Sequence, residues 1–134
     1  MSDNIERHER AQKMYRAYMG RDYKMTITPH DPASIKDISQ LTVDRCYGDS
    51  WSKTRLDMKT KSLITISMLV AVGIEPELKT HIRAAHHQGV TKDEMVEWLV
   101  HVNSYLGTPR SVVALRIARQ VWQEMAEAPS ASAA

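Results

Sequence analysis

Phenylalanine is absent from this chain, and cysteine occurs only once, at position 46. A lone cysteine excludes an intramolecular disulfide and is typical of a cytosolic protein. Without phenylalanine, the core has to be built from leucine, isoleucine, valine, the eight methionines and the few tryptophans and tyrosines. The length of 134 residues predicts one domain with one modest core.

Strong net charge and long apolar runs are absent as well. The net charge of +2 is small and the basic residues are scattered without aromatic neighbours, which argues against a nucleic-acid partner. The first dozen residues are polar and lack the apolar run of a signal peptide. The longest apolar stretch, residues 63–72, is too short to span a bilayer and predicts a buried helix. We therefore expect a cytoplasmic protein that binds neither nucleic acid nor a membrane.

Helix signals follow one another along the chain. Proline near the first helical position marks three helix starts, at Asp31-Pro32, where Asp31 is the expected N-cap, at Glu75-Pro76 and at Thr108-Pro109, and glycines stand where predicted helices end. Thr91 and Glu94 have the spacing of a capping box. Residues 21–30 and 48–57 are expected to be irregular, and the small polar residues 127–134 to be a disordered tail. Six helices are predicted, over residues 5–19, 33–47, 58–72, 75 to the stop at Gly89, 92–105 and 108–125.

The apolar spacing along these helices predicts an all-α fold. The third helix is apolar nearly all round, so we expect it to be central. The sixth helix carries two apolar rows, which make a face wider than one neighbouring helix can cover. We therefore expect a single domain over residues 1–126, a six-helix bundle, that buries part of its surface in a homo-oligomer.

Three of the six histidines lie in the predicted fourth helix, at positions 81, 86 and 87. On a helical wheel of roughly 100° per residue, His86 and His87 point about 120–140° away from His81 and to different sides. The three imidazoles therefore cannot converge on a metal ion from this helix alone, and no metal site is expected. His86 and His87 are interpreted as surface residues.

Glu77 precedes His81 by one helical turn, and His81 lies at the edge of the apolar stripe of Leu78, Ile82 and Ala85. A carboxylate there can accept a hydrogen bond from one ring nitrogen, raise the pKa of the ring and leave the other nitrogen to handle a substrate proton. The alternative is an ordinary polar pair at the edge of the core, which is the commoner arrangement when only the residues are considered.

A series of short motifs runs from residue 47 to residue 109. They are Gly48, Trp51, Leu56-Asp57, Lys61-Ser62-Leu63, Glu77-Leu78, His81, Gly89-Val90-Thr91, Glu94, Tyr105, Gly107 and Pro109. In this order they resemble the γ-carboxymuconolactone decarboxylase family of the alkylhydroperoxidase D-like superfamily. The resemblance extends over roughly residues 33–126, and the ordered combination is more specific than any single motif.

Another branch of that superfamily, alkylhydroperoxidase D, uses a Cys-x-x-Cys pair ahead of its histidine. Aligned on His81, the two cysteine positions hold Ile74 and Glu77 in this chain. Dithiol peroxidase chemistry needs one sulfur to attack and a second to resolve, so the lone Cys46 cannot support it. Cys46 is interpreted as a small buried residue.

The resemblance implies an all-α, alkylhydroperoxidase D-like fold that assembles as a trimer or hexamer. It also implies decarboxylation of 4-carboxymuconolactone to the enol-lactone in the protocatechuate branch of aromatic catabolism, the β-ketoadipate pathway, without metal or organic cofactor. His81 and Glu77 are then the expected catalytic pair. Lys61, at a position usually basic in the family, and Lys53 are candidates for binding substrate carboxylates, with Trp51 as an apolar wall.

The chain also departs from the family pattern, and the departures concern the substrate. Arg55, His86, His101, Asn103 and Arg110 add polarity or bulk where the family usually has smaller or different residues. Two alternatives therefore remain beside the lactone decarboxylase. One is an enzyme of the same fold that acts on another small carboxylic acid or lactone, and the other is a non-catalytic oligomeric binding protein.

Overall fold

Residues 2–129 are described by the computed structural model, and no strand occurs within this range. The all-α prediction is confirmed. The predicted disorder of residues 130–134 lies outside the described residues, whereas Glu127 is the last residue of the final helix. In chain order the helical elements are α1 (Ser2–Met19), α2 (Ile35–Val43), a π-helix (Asp44–Trp51), α3 (Met58–Val72), α4 (Glu75–His87), α5 (Lys92–Leu106) and α6 (Thr108–Glu127).

The chain forms two compact units that divide between Met58 and Lys59. The first unit contains α1, α2 and the π-helix, and the second contains α3 from its second residue onward, together with α4, α5 and α6. The single domain expected over residues 1–126 stays a prediction.

In the first unit, α1 packs against the π-helix through aromatic side chains. The ring centroids of Tyr18 and Trp51 are 3.9 Å apart, and those of Tyr15 and Tyr47 are 4.9 Å apart. Gly48 lies in the same contact, since a Cβ atom there would be 3.1 Å from the carbonyl oxygen of Arg7. The missing side chain therefore allows the two helices to approach each other closely.

The π-helix is the main difference from the predicted elements. The sequence predicts a helix over residues 33–47, ended by Gly48 and followed by a loop, but α2 begins at Ile35 and helical structure continues to Trp51. The reason is tertiary burial, because Tyr47 and Trp51 are only 6% and 5% exposed. The helical backbone carries both rings into the contact with α1, and this contact outweighs the local stop signal of Gly48.

In the second unit, one face of each helix contributes to a common core. Trp98 of α5 donates its indole N–H to the Ser67 hydroxyl of α3 over 2.9 Å, which satisfies the polar edge of a buried ring. The predicted capping box at the start of α5 is confirmed, since the Glu94 N–H donates to Thr91 Oγ1 at 3.1 Å and the Thr91 N–H to Glu94 Oε2 at 2.8 Å. The buried core residues are Ile66, Val70, Leu78, Ile82, Ala85, Val90, Met95, Trp98, Leu99, Val102, Ala114, Ile117, Ala118 and Val121.

Helix α3 is buried on one face only. Its residues Ile64, Met68 and Val72 are 43%, 57% and 65% exposed. Spaced four residues apart, they form one apolar row on the surface of the second unit. The sequence predicts a central α3, but within a single chain only one face of this helix is buried.

None of the helices described between residues 2 and 129 has both the length and the apolar character that crossing a bilayer would require.

Candidate active site

Helix α4 positions the predicted catalytic pair. Leu78, Ile82 and Ala85 are at most 2% exposed and anchor the helix in the core, as their spacing predicts. His81 lies beside this stripe and is half-buried, while Glu77, one turn earlier, is exposed. The helix therefore holds the imidazole at the boundary between the core and solvent, with a carboxylate on its outer side.

The pKa of His81 is lowered from the ordinary histidine value, because burial disfavours the charged ring more than the negative charge of Glu77 favours it. The expected influence of Glu77 is present, but the expected net rise in the pKa of His81 is wrong. Desolvation is a tertiary effect that the spacing of two residues on a helix does not reveal. At neutral pH the ring is therefore mainly neutral and is a stronger acid once it is protonated.

The three predicted substrate-binding residues occupy different environments. Lys61 is half-buried on α3, in the same unit as His81. Trp51 and Lys53 belong to the first unit, where Trp51 is buried against Tyr18 and Lys53 is exposed just after the π-helix. Within the second unit the structure thus contains two of the expected elements of the site, the histidine–glutamate pair and one lysine.

The two remaining histidines of α4 differ from each other. His87 is exposed, as expected. His86 is half-buried, and its ring accepts a hydrogen bond from the indole N–H of Trp122 at 2.8 Å, so the interpretation of His86 as a surface residue is wrong. The partner lies 36 positions away in the sequence, which is why helical spacing alone missed it.

No three histidine, cysteine, aspartate or glutamate side chains among residues 2–129 are grouped closely enough to hold one metal ion. The histidines of α4 therefore have separate surroundings in the described part of the chain.

Two open clefts of about 530 and 570 Å³ border α5. The first is lined mainly by apolar residues of α5 and α6, including Val96, Val100 and Val112, and the second by Glu94, His101 and their neighbours. His81 lines neither cleft. These two clefts are thus distinct from the surroundings of His81. The sequence motifs did not predict the clefts, although the broad apolar faces of α5 and α6 were visible in the sequence.

Comparison with known proteins agrees with the motif pattern. Residues 37–120 match the family model described as "Carboxymuconolactone decarboxylase family". The 4-carboxymuconolactone decarboxylase of Acinetobacter baylyi is 42% identical over 83 residues, which are 62% of this chain and 62% of that protein. Nitrosuccinic acid decarboxylase npaB of Metarhizium robertsii is 26% identical over 115 residues, 86% of this chain and 80% of that protein. An uncharacterized 15.0 kDa protein from the nqo9-nqo10 intergenic region of Paracoccus denitrificans is 34% identical over 80 residues, 58% of this chain and 60% of that protein.

The match to the Acinetobacter enzyme spans less than two thirds of that enzyme's length. The family match covers more than half of the present chain and includes Lys61, Glu77 and His81. The resemblance deduced from the ordered motifs is confirmed: the chain belongs to the carboxymuconolactone decarboxylase family.

Proposed function

We propose that this protein is a decarboxylase of a small carboxylic acid, with 4-carboxymuconolactone as the first candidate substrate. The observation that carries the proposal is the position of His81, half-buried beside Glu77 within the family-matched residues. The 42% identity with the Acinetobacter 4-carboxymuconolactone decarboxylase supports the choice of substrate. The proposed setting is the protocatechuate branch of aromatic catabolism in the cytoplasm.

The reaction requires stabilisation of negative charge and delivery of one proton. The bond between the γ carbon of the lactone and its carboxylate breaks, and CO₂ leaves. The electron pair delocalises through the ring double bond to the lactone carbonyl, which gives a dienolate. A proton added at the α carbon yields the enol-lactone. A hydrogen-bond donor at the carbonyl and a proton donor near the α carbon are therefore the groups that accelerate the reaction.

In this proposal His81 donates the proton. Burial lowers the pKa of His81, so its protonated form gives up a proton more readily than an exposed imidazolium does. Glu77 and the substrate carboxylate favour the charged ring before CO₂ leaves, and solvent restores the proton after each turnover. Lys61 and Lys53 are proposed to bind substrate carboxylates, and Trp51 to provide an apolar wall.

The similarity to the nitrosuccinic acid decarboxylase favours a second candidate substrate class. That relative is matched over 86% of the present chain, at 26% identity. A nitro acid and an unsaturated lactone share one chemical property, because each can delocalise the electron pair left behind by CO₂. The same proton donor would therefore serve a small dicarboxylic acid that carries an electron-withdrawing group.

We also propose that the protein works as a homo-oligomer. The apolar row of Ile64, Met68 and Val72 on α3 is exposed in the single chain, and Val100 and Val112 of the α5–α6 cleft are 64% and 57% exposed. Exposed apolar side chains in such rows and clefts are typical of a subunit interface. Light scattering should give a mass that is a multiple of 15.3 kDa, and Met68→Lys should lower it. A wild-type monomer at micromolar concentration would contradict this part of the proposal.

Turnover of 4-carboxymuconolactone, followed by its ultraviolet absorbance and by CO₂ release, tests the function. His81→Ala should reduce kcat by at least about a hundredfold if His81 is the general acid, and Glu77→Gln should have a smaller effect. His87→Ala is the matched control, since His87 is an exposed histidine of the same helix. Full activity of His81→Ala would exclude the mechanism. No turnover of the lactone but turnover of nitrosuccinate would favour the second substrate class, and turnover of neither would exclude both.

A further inference from the structure

Polar side chains that the proposed reaction does not use surround a small cavity in the first unit. The cavity has a volume of about 190 Å³. Its wall includes His8 and Gln12 from α1, Tyr23 from the segment that follows, and Lys36 and Ser39 from α2. The size suits a ligand smaller than most drug-like molecules, whose pockets measure roughly 300–1,000 Å³.

A buried carboxylate orients His8. The Nδ1 atom of His8 is 2.8 Å from Oδ1 of Asp44, and Asp44 is only 8% exposed at the start of the π-helix. An ionised carboxylate only accepts hydrogen bonds, so the His8 Nδ1–H donates to it. The other ring nitrogen, Nε2, accepts a hydrogen bond from the Gln12 amide nitrogen, which is 3.5 Å away at the cavity wall.

The other polar groups at the cavity are arranged as donors. The Ser39 hydroxyl donates to the Tyr23 hydroxyl oxygen at 2.9 Å, so the Tyr23 hydroxyl can donate its own hydrogen to a ligand. Lys36, exposed on α2, adds a positive charge. Asp44, the acidic residue in contact with His8, is already hydrogen-bonded to the imidazole. The cavity therefore offers an ammonium group, a hydroxyl, amides and an imidazole held by a carboxylate.

We propose that this cavity binds a small organic carboxylate, held by the ammonium group of Lys36, the hydroxyl of Tyr23 and the side-chain amide of Gln12. The hydrogen bond from His8 to Asp44 and that from Gln12 to His8 hold the amide at the cavity wall, and the second amide hydrogen can reach the ligand. The hydrogen bond from the Lys36 ammonium to the ligand carboxylate is charge-assisted and therefore stronger than a neutral one. None of the residues that line this cavity has a role in the proposed decarboxylation, and His8, Tyr23 and Lys36 precede the family-matched residues 37–120.

Succinate is the probe, titrated into the 134-residue chain carrying both Lys53→Met and Lys61→Met, because the proposed active site binds carboxylates through those two lysines. Calorimetry should detect saturable binding beyond the heat given by sodium chloride of equal ionic strength. In the same background, Lys36→Met should weaken binding by about tenfold or more, since it removes a charge-assisted contact, and Tyr23→Phe should weaken it by a smaller factor, since it removes a neutral one. Lys24→Met is the matched control, because Lys24 is an exposed lysine of the first unit that does not line the cavity.

The ring resonances of His8 provide a second readout. In a two-dimensional spectrum of the ¹⁵N-labelled protein, its nitrogen shifts should change as succinate is added, because the Gln12 amide that contacts the ring also contacts the ligand. Absence of saturable succinate binding would overturn the proposal. So would equal loss of affinity in Lys36→Met and Lys24→Met, or binding that leaves the His8 resonances in place. Circular dichroism verifies that each variant is folded.

Discussion

Trp122 of α6 donates its indole N–H to Nε2 of His86 on α4, over 2.8 Å. The other ring nitrogen of His86, Nδ1, is 2.6 Å from the carbonyl oxygen of Val90, in the turn before α5. An indole N–H can only donate and a carbonyl can only accept, so His86 carries its proton on Nδ1 and is neutral. One side chain thus joins the end of α4, the following turn and α6.

Removal of either partner of this hydrogen bond is predicted to destabilise the second unit. His86→Leu and Trp122→Phe should each lower the free energy of unfolding by about 1–3 kcal/mol, because a half-buried polar atom loses its partner. The double variant should lose less than the sum of the two single variants, since both remove the same bond. Urea denaturation measures all three. His87→Leu, at an exposed position of the same helix, should change stability by less than about 0.5 kcal/mol. Strict additivity would show that the bond does not contribute.

Burial of His81 predicts a dependence of stability on pH. Because burial lowers the pKa of His81 in the folded protein, the unfolded chain binds its proton more readily as the pH falls. The contribution of neutral His81 to the free energy of unfolding is fully present above the ordinary histidine pKa of about 6.5. It is lost as the pH falls through the lower pKa that His81 has in the folded protein.

The measurement is the free energy of unfolding by urea at a series of pH values. His81→Gln should lose less stability than the wild type on acidification, because glutamine does not titrate. His87→Gln should follow the wild-type curve, since that histidine is exposed. Parallel curves for the wild type and His81→Gln would contradict the burial-dependent shift.

Cys46 is predicted to react slowly. Burial raises the pKa of its thiol, and a hydrogen bond with Trp51 opposes this rise only in part. The thiolate is the nucleophile, so alkylation by iodoacetamide at pH 7 should be several-fold slower in the folded protein than in urea. Trp51→Phe should slow the chemical step further if its fold is retained. Equal rates for folded and unfolded chains would mean that Cys46 is accessible and ionises normally.

The variant Gly73→Ala tests whether backbone conformation or a steric clash determines the loss of stability at the end of α3. Its φ of +78° lies in the left-handed region, and a Cβ atom there would be 2.5 Å from Nη1 of Arg110. We expect the backbone to dominate, because the end of an exposed arginine can move, and Gly73→Ala should cost about 1–2 kcal/mol. Gly89→Ala is the comparison, since Gly89 lies at the end of α4 with a φ of +93° and an added Cβ there would have no neighbouring atom within 4 Å.

Thermal unfolding should therefore give similar losses for the two glycine variants. Adding Arg110→Ala to Gly73→Ala should recover little. A much larger loss at Gly73, relieved by Arg110→Ala, would show instead that the guanidinium is held rigidly against the end of α3.

Local sequence signals were sufficient for most of the helices. The predicted limits of residues 58–72 agree with α3, and the start of α5 at Lys92 follows from its capping box. These signals depend on residues within a few positions of one another, such as Thr91 and Glu94, whose hydrogen bonds form within one turn. The ordered motifs also led to the family, because they record which residue types stand at which positions along the chain.

Tertiary contacts decided the features that local signals misjudged. Helical structure continues through Gly48 because burial of Tyr47 and Trp51 against α1 outweighs a local stop. The pKa of His81 falls because desolvation exceeds the attraction of Glu77. His86 is bonded to Trp122 because the fold brings together positions 36 residues apart. The sequence by itself determined most of the helices, the capping box of α5 and the family, which depend on neighbouring residues and their order. The N-cap predicted at Asp31 is wrong, because α2 begins only at Ile35, after Ser34. Burial and long-range hydrogen bonds depend on which surfaces meet, and only the folded chain decided those.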